Sequence, residues 1–121
     1  MHELSIAMSI VEMAEEEIER RGEAHVIAIH VKLGRLSGVV KEALMSSYEI
    51  ACDDSPLKGS TLMIEELPVL IFCSGCQAER LVSSMQLFCC AECGQPSSEV
   101  VQGKEIEVVA LEIEEWAPSH V

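Results

Sequence analysis

Between Leu4 and Ile18 the apolar residues recur at steps of three and four. Leu4, Ala7, Met8, Val11, Ala14 and Ile18 fall along one side of a helix, and Ile6, Ile10 and Met13 widen the stripe. Glu12, Glu15, Glu16 and Glu19 occupy the other side, with Glu16 and Arg20, and Glu17 and Arg21, in the favourable i,i+4 order. Arg20-Arg21-Gly22 ends the helix, placing cations at the negative end of its dipole and a glycine where the chain must turn. In "HVIAIHVKL" the period becomes two: Ile27, Ile29, Val31 and Leu33 share one parity in a β-branched run, which predicts a strand. After the break "GRLSG", helical spacing returns through "VVKEALMSSYEIAC" at Val40, Leu44, Tyr48 and Ala51. "DDSPLKGS" reads as a loop and "TLMIEEL" as a second strand. In "KEIEVVALEIEEW" the acidic residues change parity partway along. Glu105 and Glu107 lie on one parity and Glu112 and Glu114 on the other, which predicts either a central strand buried on both faces at its middle or a bulge near Ala110.

This order of elements predicts an α+β fold. Residues 1–68 and 104–121 form a small two-layer domain, a mixed β-sheet with two helices, and residues 69–103 form an inserted domain of β-hairpins. A chain of 121 residues holds one core and has room for a small insertion only if that insertion brings its own stabilising device. No apolar run approaches the roughly 18 residues of a membrane span. The start lacks the basic and apolar regions of a secretory signal, so a cytoplasmic location away from membranes is expected. With 21 acidic against 8 basic residues the formal charge is -13, which opposes binding to nucleic-acid phosphates. It serves solubility first, and favours cations or basic partner surfaces second.

The cysteines change the picture. "FCSGC" and "CCAECG" hold two Cys-x-x-Cys pairs, Cys73 with Cys76 and Cys90 with Cys93, with thirteen residues between them. Two thiolates at this spacing reach one ion from a tight turn, and two such turns close a tetrahedral shell around a structural Zn(II). Gly75 inside the first turn and Gly94 after the second are expected to make the bends. The segment has few residues for an apolar core, so the metal supplies much of its folding free energy and the insertion reads as a zinc ribbon. Iron remains open on geometry alone, and a redox-active pair is less economical than a shared ion. Cys89 can replace Cys90 at a three-residue spacing, although the knuckle geometry favours Cys90; Cys52 reads as a small buried apolar residue. Between Val69 and Gln102 Arg80 is the lone cation, so the insertion carries no basic stripe for nucleic acid.

The leading "MHE" carries a second candidate chemistry. The terminal amine of Met1, the amide nitrogen and imidazole of His2 and the amide nitrogen of Glu3 can close adjacent chelate rings in one plane, a geometry suited to Ni(II) or Cu(II) and not to tetrahedral zinc. The bland alternative is an exposed His2 with Glu3 complementing the helix dipole. His25, in a turn, and His30, on the less apolar parity of its strand, read as structural or solvated, and His120 lies in the tail.

"MHELSIA", "GRLSGVVKEAL", the paired cysteine turns and "GKEIEVVALEIEE", in this order over nearly the whole chain, resemble the HypA/HybF family of nickel-insertion accessory proteins for [NiFe] hydrogenase. The resemblance implies a metallochaperone and not an enzyme. Transferable Ni(II) would sit on His2 and the backbone nitrogens of Met1, His2 and Glu3, with structural Zn(II) on Cys73, Cys76, Cys90 and Cys93. Glu3 would tune the nickel site or its partner contacts. The implied partners are a HypB-type GTPase and the hydrogenase large-subunit precursor, with urease served by some members and a homodimer left open. Certain members flank their cysteine pairs with histidines, whereas this chain has none from 31 to 119. The rival reading is a zinc-ribbon adaptor for a protein partner without a labile metal, and a thiol oxidoreductase ranks third.

Overall fold

The computed structural model describes residues 3–22 and 24–115. Its elements run α1 (Glu3–Arg21), β1 (Ala24–Gly34), α2 (Lys41–Cys52), β2 (Thr61–Leu67), β3 (Leu70–Cys73), β4 (Ala78–Leu81), β5 (Val100–Gln102) and β6 (Ile106–Glu115). The architecture is α+β. One three-stranded sheet has the order β2-β1-β6 and the other β4-β3-β5. The chain divides into two compact units, one drawing on residues up to Lys32, on Val39–Glu65 and on the chain from Glu107, the other on Leu33–Gly38 and Glu66–Ile106.

In the first unit α1 and α2 pack on each other. Ala7, Ile10, Val11 and Ala14 of α1 and Leu44, Tyr48 and Cys52 of α2 join Val26, Ile29, Val31, Leu57 and Leu62 in one buried cluster. Small side chains at Ala7 and Ala14, both fully buried, allow a close helix approach. The buried stripe of α1 is rotated from the expected one: Leu4 and Met8 are exposed, while Ile10 lies in the core and Ile6 and Ile18 pack on its edge. Gly22 ends the helix at φ 87, its N–H donating to the Ile18 carbonyl at 2.9 Å. Arg20 pairs with Glu17 rather than Glu16, because Glu17 accepts from both Arg20 and Arg21, and the two guanidinium groups hold its carboxyl below the usual range.

Both long strands of this sheet slip phase. Along β1 the core-facing residues are Val26, then Ile29 and Val31, so Ile27 turns outward instead of sharing the parity of Ile29. Along β6 they are Val108, then Leu111 and Ile113, with Val109 and Ala110 exposed. An odd spacing between successive inward residues is the signature of one extra residue on a strand. It accounts for the parity switch of the acidic residues; burial on both faces at the middle of β6 does not, because Val109 and Ala110 are exposed there. His30 Nε2 lies 3.2 Å from Glu112 Oε1, joining β1 to β6, and His25 falls inside β1 rather than in the turn before it. The loop before β2 is pinned by Ser60, whose hydroxyl donates to the Leu57 carbonyl at 2.6 Å and, its proton committed, accepts from the Tyr48 hydroxyl at 2.6 Å.

Leu44 has no exposed surface whereas Ile50, on the same helix, is 66% exposed. Leu44→Ala is therefore expected to lower unfolding free energy by about 2–5 kcal/mol, and Ile50→Ala to stay within about 0.5 kcal/mol of the parent, as measured by urea denaturation.

Candidate metal centre

In the second unit β3 is the central strand. It pairs antiparallel with β4, Cys73 opposite Ala78 and Ile71 opposite Arg80, and antiparallel with β5 through a register shift at Leu70/Ile71. Isolated bridges Val82↔Cys90 and Cys89↔Pro96 form the second arm. Alternation along β3 buries Ile71 and Cys73 together. The first cysteine pair thus leaves the end of β3 through a turn, and the second pair leaves the Val82 bridge in the same way.

These two turns bring four sulfurs together. The ligand atoms of Cys73, Cys76, Cys90 and Cys93 all lie within 4.8 Å of one another. Cys73 Sγ is 3.4 Å from Cys93 Sγ, and Cys76 Sγ is 3.9 Å from Cys90 Sγ. A tetrahedral Zn(II) with bonds of about 2.3 Å requires sulfurs roughly 3.8 Å apart, so the shell has the dimensions of such an ion. Cys89 is half-buried and outside the group, which assigns the second knuckle to Cys90. Adjacent residues of an extended segment point oppositely, and only one of the two can face the ion.

Backbone N–H groups are aimed at the sulfurs. Cys73 Sγ accepts from the Cys76 N–H at 3.4 Å, and Cys90 Sγ accepts from the Glu92 and Cys93 N–H groups, each at 3.4 Å. The Cys93 N–H, aided by that of Glu92, pulls the Cys90 thiol down to about 7. The Gln95 N–H lowers Cys93, but the sulfurs of Cys73, Cys90 and Cys76 outweigh it and push that thiol up to about 12. The two sulfurs of the second knuckle are thus pushed apart, Cys90 towards the thiolate and Cys93 towards the thiol, because like charges at this distance oppose each other. A divalent ion removes that conflict.

The bends are made by the residue after each pair. Gly94 has φ 79 and, at the matching place after Cys76, Gln77 has φ 53. Gly75 does not adopt a positive φ, so the first knuckle bends at Gln77 and not at the glycine within it. The Gln77 side chain steadies this left-handed position by donating from Nε2 to the Ser74 carbonyl at 2.5 Å.

The sulfurs have a cationic neighbour that the cysteine motif does not announce. Arg80 is engaged by Cys76, with Glu92 and Cys90 adding electrostatic attraction, and it holds its proton more firmly as a result. The signal was present: the insertion's lone cation stands four residues after a ligand, on a strand that pairs with the one delivering Cys73.

Of the nitrogen site, Met1 and His2 lie outside the described residues. Glu3 opens α1, and its Oε2 accepts the Val40 N–H at 3.1 Å. Val40 is the N-cap of α2 and offers no side-chain cap of its own. The carboxylate therefore joins the starts of both helices, where orphan N–H groups and the positive ends of two dipoles favour it.

A family profile described as "Hydrogenase/urease nickel incorporation, metallochaperone, hypA" matches residues 1–113. The chain is 45% identical over 112 residues to the hydrogenase maturation factor HypA of Chloroflexus aurantiacus, covering 93% of this chain and 98% of that one. It is 42% identical over 118 residues to the HypA of a Roseiflexus species, covering 98% and 96%. Among solved structures it is similar in fold to a HypA protein in solution, at a TM-score of 0.70 and 23% identity over 93% of this chain and 96% of that one. The Ni metallochaperone HypA from Helicobacter pylori gives a TM-score of 0.66 at 23% identity, over 96% and 100%.

The separation of Cys89 from the sulfur group yields a paired test. Cys90→Ser is expected to cost the chain its cysteine-bound metal at equimolar zinc, whereas Cys89→Ser retains one ion per chain, as read by metal analysis after gel filtration.

Proposed function

Since the chain belongs to the HypA family of nickel-incorporation metallochaperones in hydrogenase maturation, we propose that it carries Ni(II) as cargo on its leading tripeptide and keeps Zn(II) as a structural ion on Cys73, Cys76, Cys90 and Cys93. The observation that carries the division is the sulfur group: four cysteine sulfurs lie within 4.8 Å of one another, and four thiolates bound to one zinc would leave no position for exchange. A second ion meant for delivery needs another kind of donor. His2 and the backbone nitrogens of Met1, His2 and Glu3 supply a planar nitrogen set, which d8 Ni(II) prefers. The Glu3 carboxylate on Val40 supports this reading, because it holds the first turn of α1 in place beside the proposed site.

The chemistry of delivery follows from the donors. Few side chains hold the cargo, and an acceptor can replace nitrogens one at a time. We assign the acceptor to the [NiFe] hydrogenase large-subunit precursor, with a HypB-type GTPase as the working partner, in the cytoplasm, where unpaired thiols persist. The protein transfers an ion and catalyses no bond rearrangement.

Amine and imidazole bind only when unprotonated, and their free values lie near 8 and 6.5. Nickel affinity therefore rises with pH, because binding releases protons, and falls steeply as the pH drops from about 8 towards 6. In isothermal titration of the zinc-loaded full chain, His2→Ala is expected to abolish nickel binding while leaving zinc content unchanged. Two residues added ahead of Met1 are expected to weaken nickel binding severely. Retention of parental nickel affinity by either variant places the cargo on other donors. Failure of the parent to give the absorption of planar diamagnetic Ni(II) favours the rival reading of a ribbon adaptor without a labile ion.

A further inference from the structure

Gly75 lies between two cysteines of the sulfur group without adopting a positive φ, so the turn itself does not require a glycine there. What the glycine supplies is room. A Cβ at Gly75 would stand 2.2 Å from Gln95 Oε1 and 3.4 Å from Gln95 Cδ, with Cys73 Sγ next at 3.8 Å. The space beside the first knuckle is therefore filled by a side-chain amide.

That amide comes from the other knuckle. Gln95 follows the second cysteine pair, and its Nε2 donates to Ser74 Oγ at 3.3 Å. Its backbone is tied to the second pair, since the Cys90 N–H donates to the Gln95 carbonyl at 2.8 Å and the Gly94 N–H to the Cys90 carbonyl at 2.8 Å. Ser74 is fixed within the first knuckle by Gln77, whose Nε2 donates to the Ser74 carbonyl at 2.5 Å. One side chain thus crosses from the Cys90/Cys93 turn to the Cys73/Cys76 turn.

A four-thiolate shell built from two turns comes apart when the turns separate, because either turn alone offers an ion only two ligands. A link between the turns that lies outside the sulfurs resists this separation without touching the ion. We propose that Gln95 is a positioning residue of the cysteine-bound zinc, a clasp between the two knuckles for which Ser74 provides the acceptor and Gly75 the seat. Gln95 and Ser74 are both exposed, so substituting them removes the clasp and no core contact.

The inference rests on the proposed zinc reading, so the zinc content of the full-length parent is measured first. A parent that binds no zinc overturns that reading and this inference together. With zinc bound, transfer of the ion to an excess of a chromogenic chelator is timed for the parent, Gln95→Ala, Gly75→Ala and the double variant. Gln95→Ala is expected to release zinc about 2–10-fold faster, the range set by one net hydrogen bond. Gly75→Ala is expected to match it, because the added methyl group displaces the amide, the movable end of a side chain. The double variant is expected to be no faster than either single one, since both changes remove the same contact. Ser74→Ala is expected to speed release likewise, and Ser74→Thr, which keeps the hydroxyl, to retain the parental rate.

A parental rate in Gln95→Ala overturns the proposal and leaves the zinc reading intact. So do effects that multiply in the double variant, which mark two independent disturbances of the ribbon, and a Ser74→Thr rate as fast as that of Ser74→Ala. If Gly75→Ala does not fold, Gln95→Ala and Ser74→Ala are combined instead: a joint effect equal to either alone supports the clasp, and multiplied effects overturn it.

Discussion

The convergence of four sulfurs on one point is the constraint on which the second unit depends. The continuous apolar cluster of the chain, from Ala7 to Leu62, belongs to the first unit. Among the described residues the second unit buries the hydrophobic residues Leu33, Val69, Ile71, Cys73 and Cys90, and two of these five belong to the sulfur group. Three aliphatic side chains at about 1.5–3 kcal/mol each cannot offset the conformational entropy of the 47 residues of this unit. A closed-shell ion bound by thiolates supplies free energy on the scale required, and supplies it only when both knuckles are formed. The backbone approaches that define this unit are correspondingly tight. A Cβ on Gly34 would stand 2.1 Å from the Gly103 carbonyl oxygen, so the chain passes there with no room for a side chain.

The features legible in the sequence were those with a short-range signal. The heptad-like stripe gave α1, the Cys-x-x-Cys spacing gave the sulfur shell, and Gly22 gave the helix end. Residues whose position depends on partners distant in sequence were less legible. Ile27 has the parity of Ile29, but burial along β1 changes parity between Ala28 and Ile29, and strict alternation cannot show where such a change falls. Glu17 took both arginines because the i,i+3 geometry competes with i,i+4, and spacing alone ranks them almost equally. Gln77 occupies a left-handed position that composition assigns to a glycine; its amide contact with Ser74 offsets the backbone cost, and nothing in the local residue types announces it. Arg80 illustrates the same limit from the other side. Its place opposite Ile71, on the face that carries Cys73, is set by the β3–β4 register and not by neighbouring residues in the sequence.

On the proposed reading two ions share a small chain because each donor set favours a different coordination geometry. Thiolates set at tetrahedral distances by two rigid knuckles suit a d10 ion without ligand-field preference, whereas amine, amidates and imidazole in a plane suit d8 nickel. Sulfur would also accept nickel, and a vacant ribbon would therefore be a competing sink for the cargo. Zinc taken up during folding, as proposed, would remove that competition.

The start of α1 is well suited to the proposed cargo for a reason internal to helices. The first four N–H groups of an α-helix have no intrahelical acceptor, so amide nitrogens at this end can exchange a proton for a metal without breaking a helical hydrogen bond. The same chelate placed in the middle of α1 would cost two of them. A Ni(II) held by two deprotonated amides, an amine and a neutral imidazole carries no net charge, so the positive end of the helix dipole does not repel it. The Glu3 side chain contributes the remaining negative charge, and that charge is directed away to the Val40 N–H at the head of α2. The carboxylate is thereby occupied as an anchor, and the backbone of the same residue is left to serve the metal.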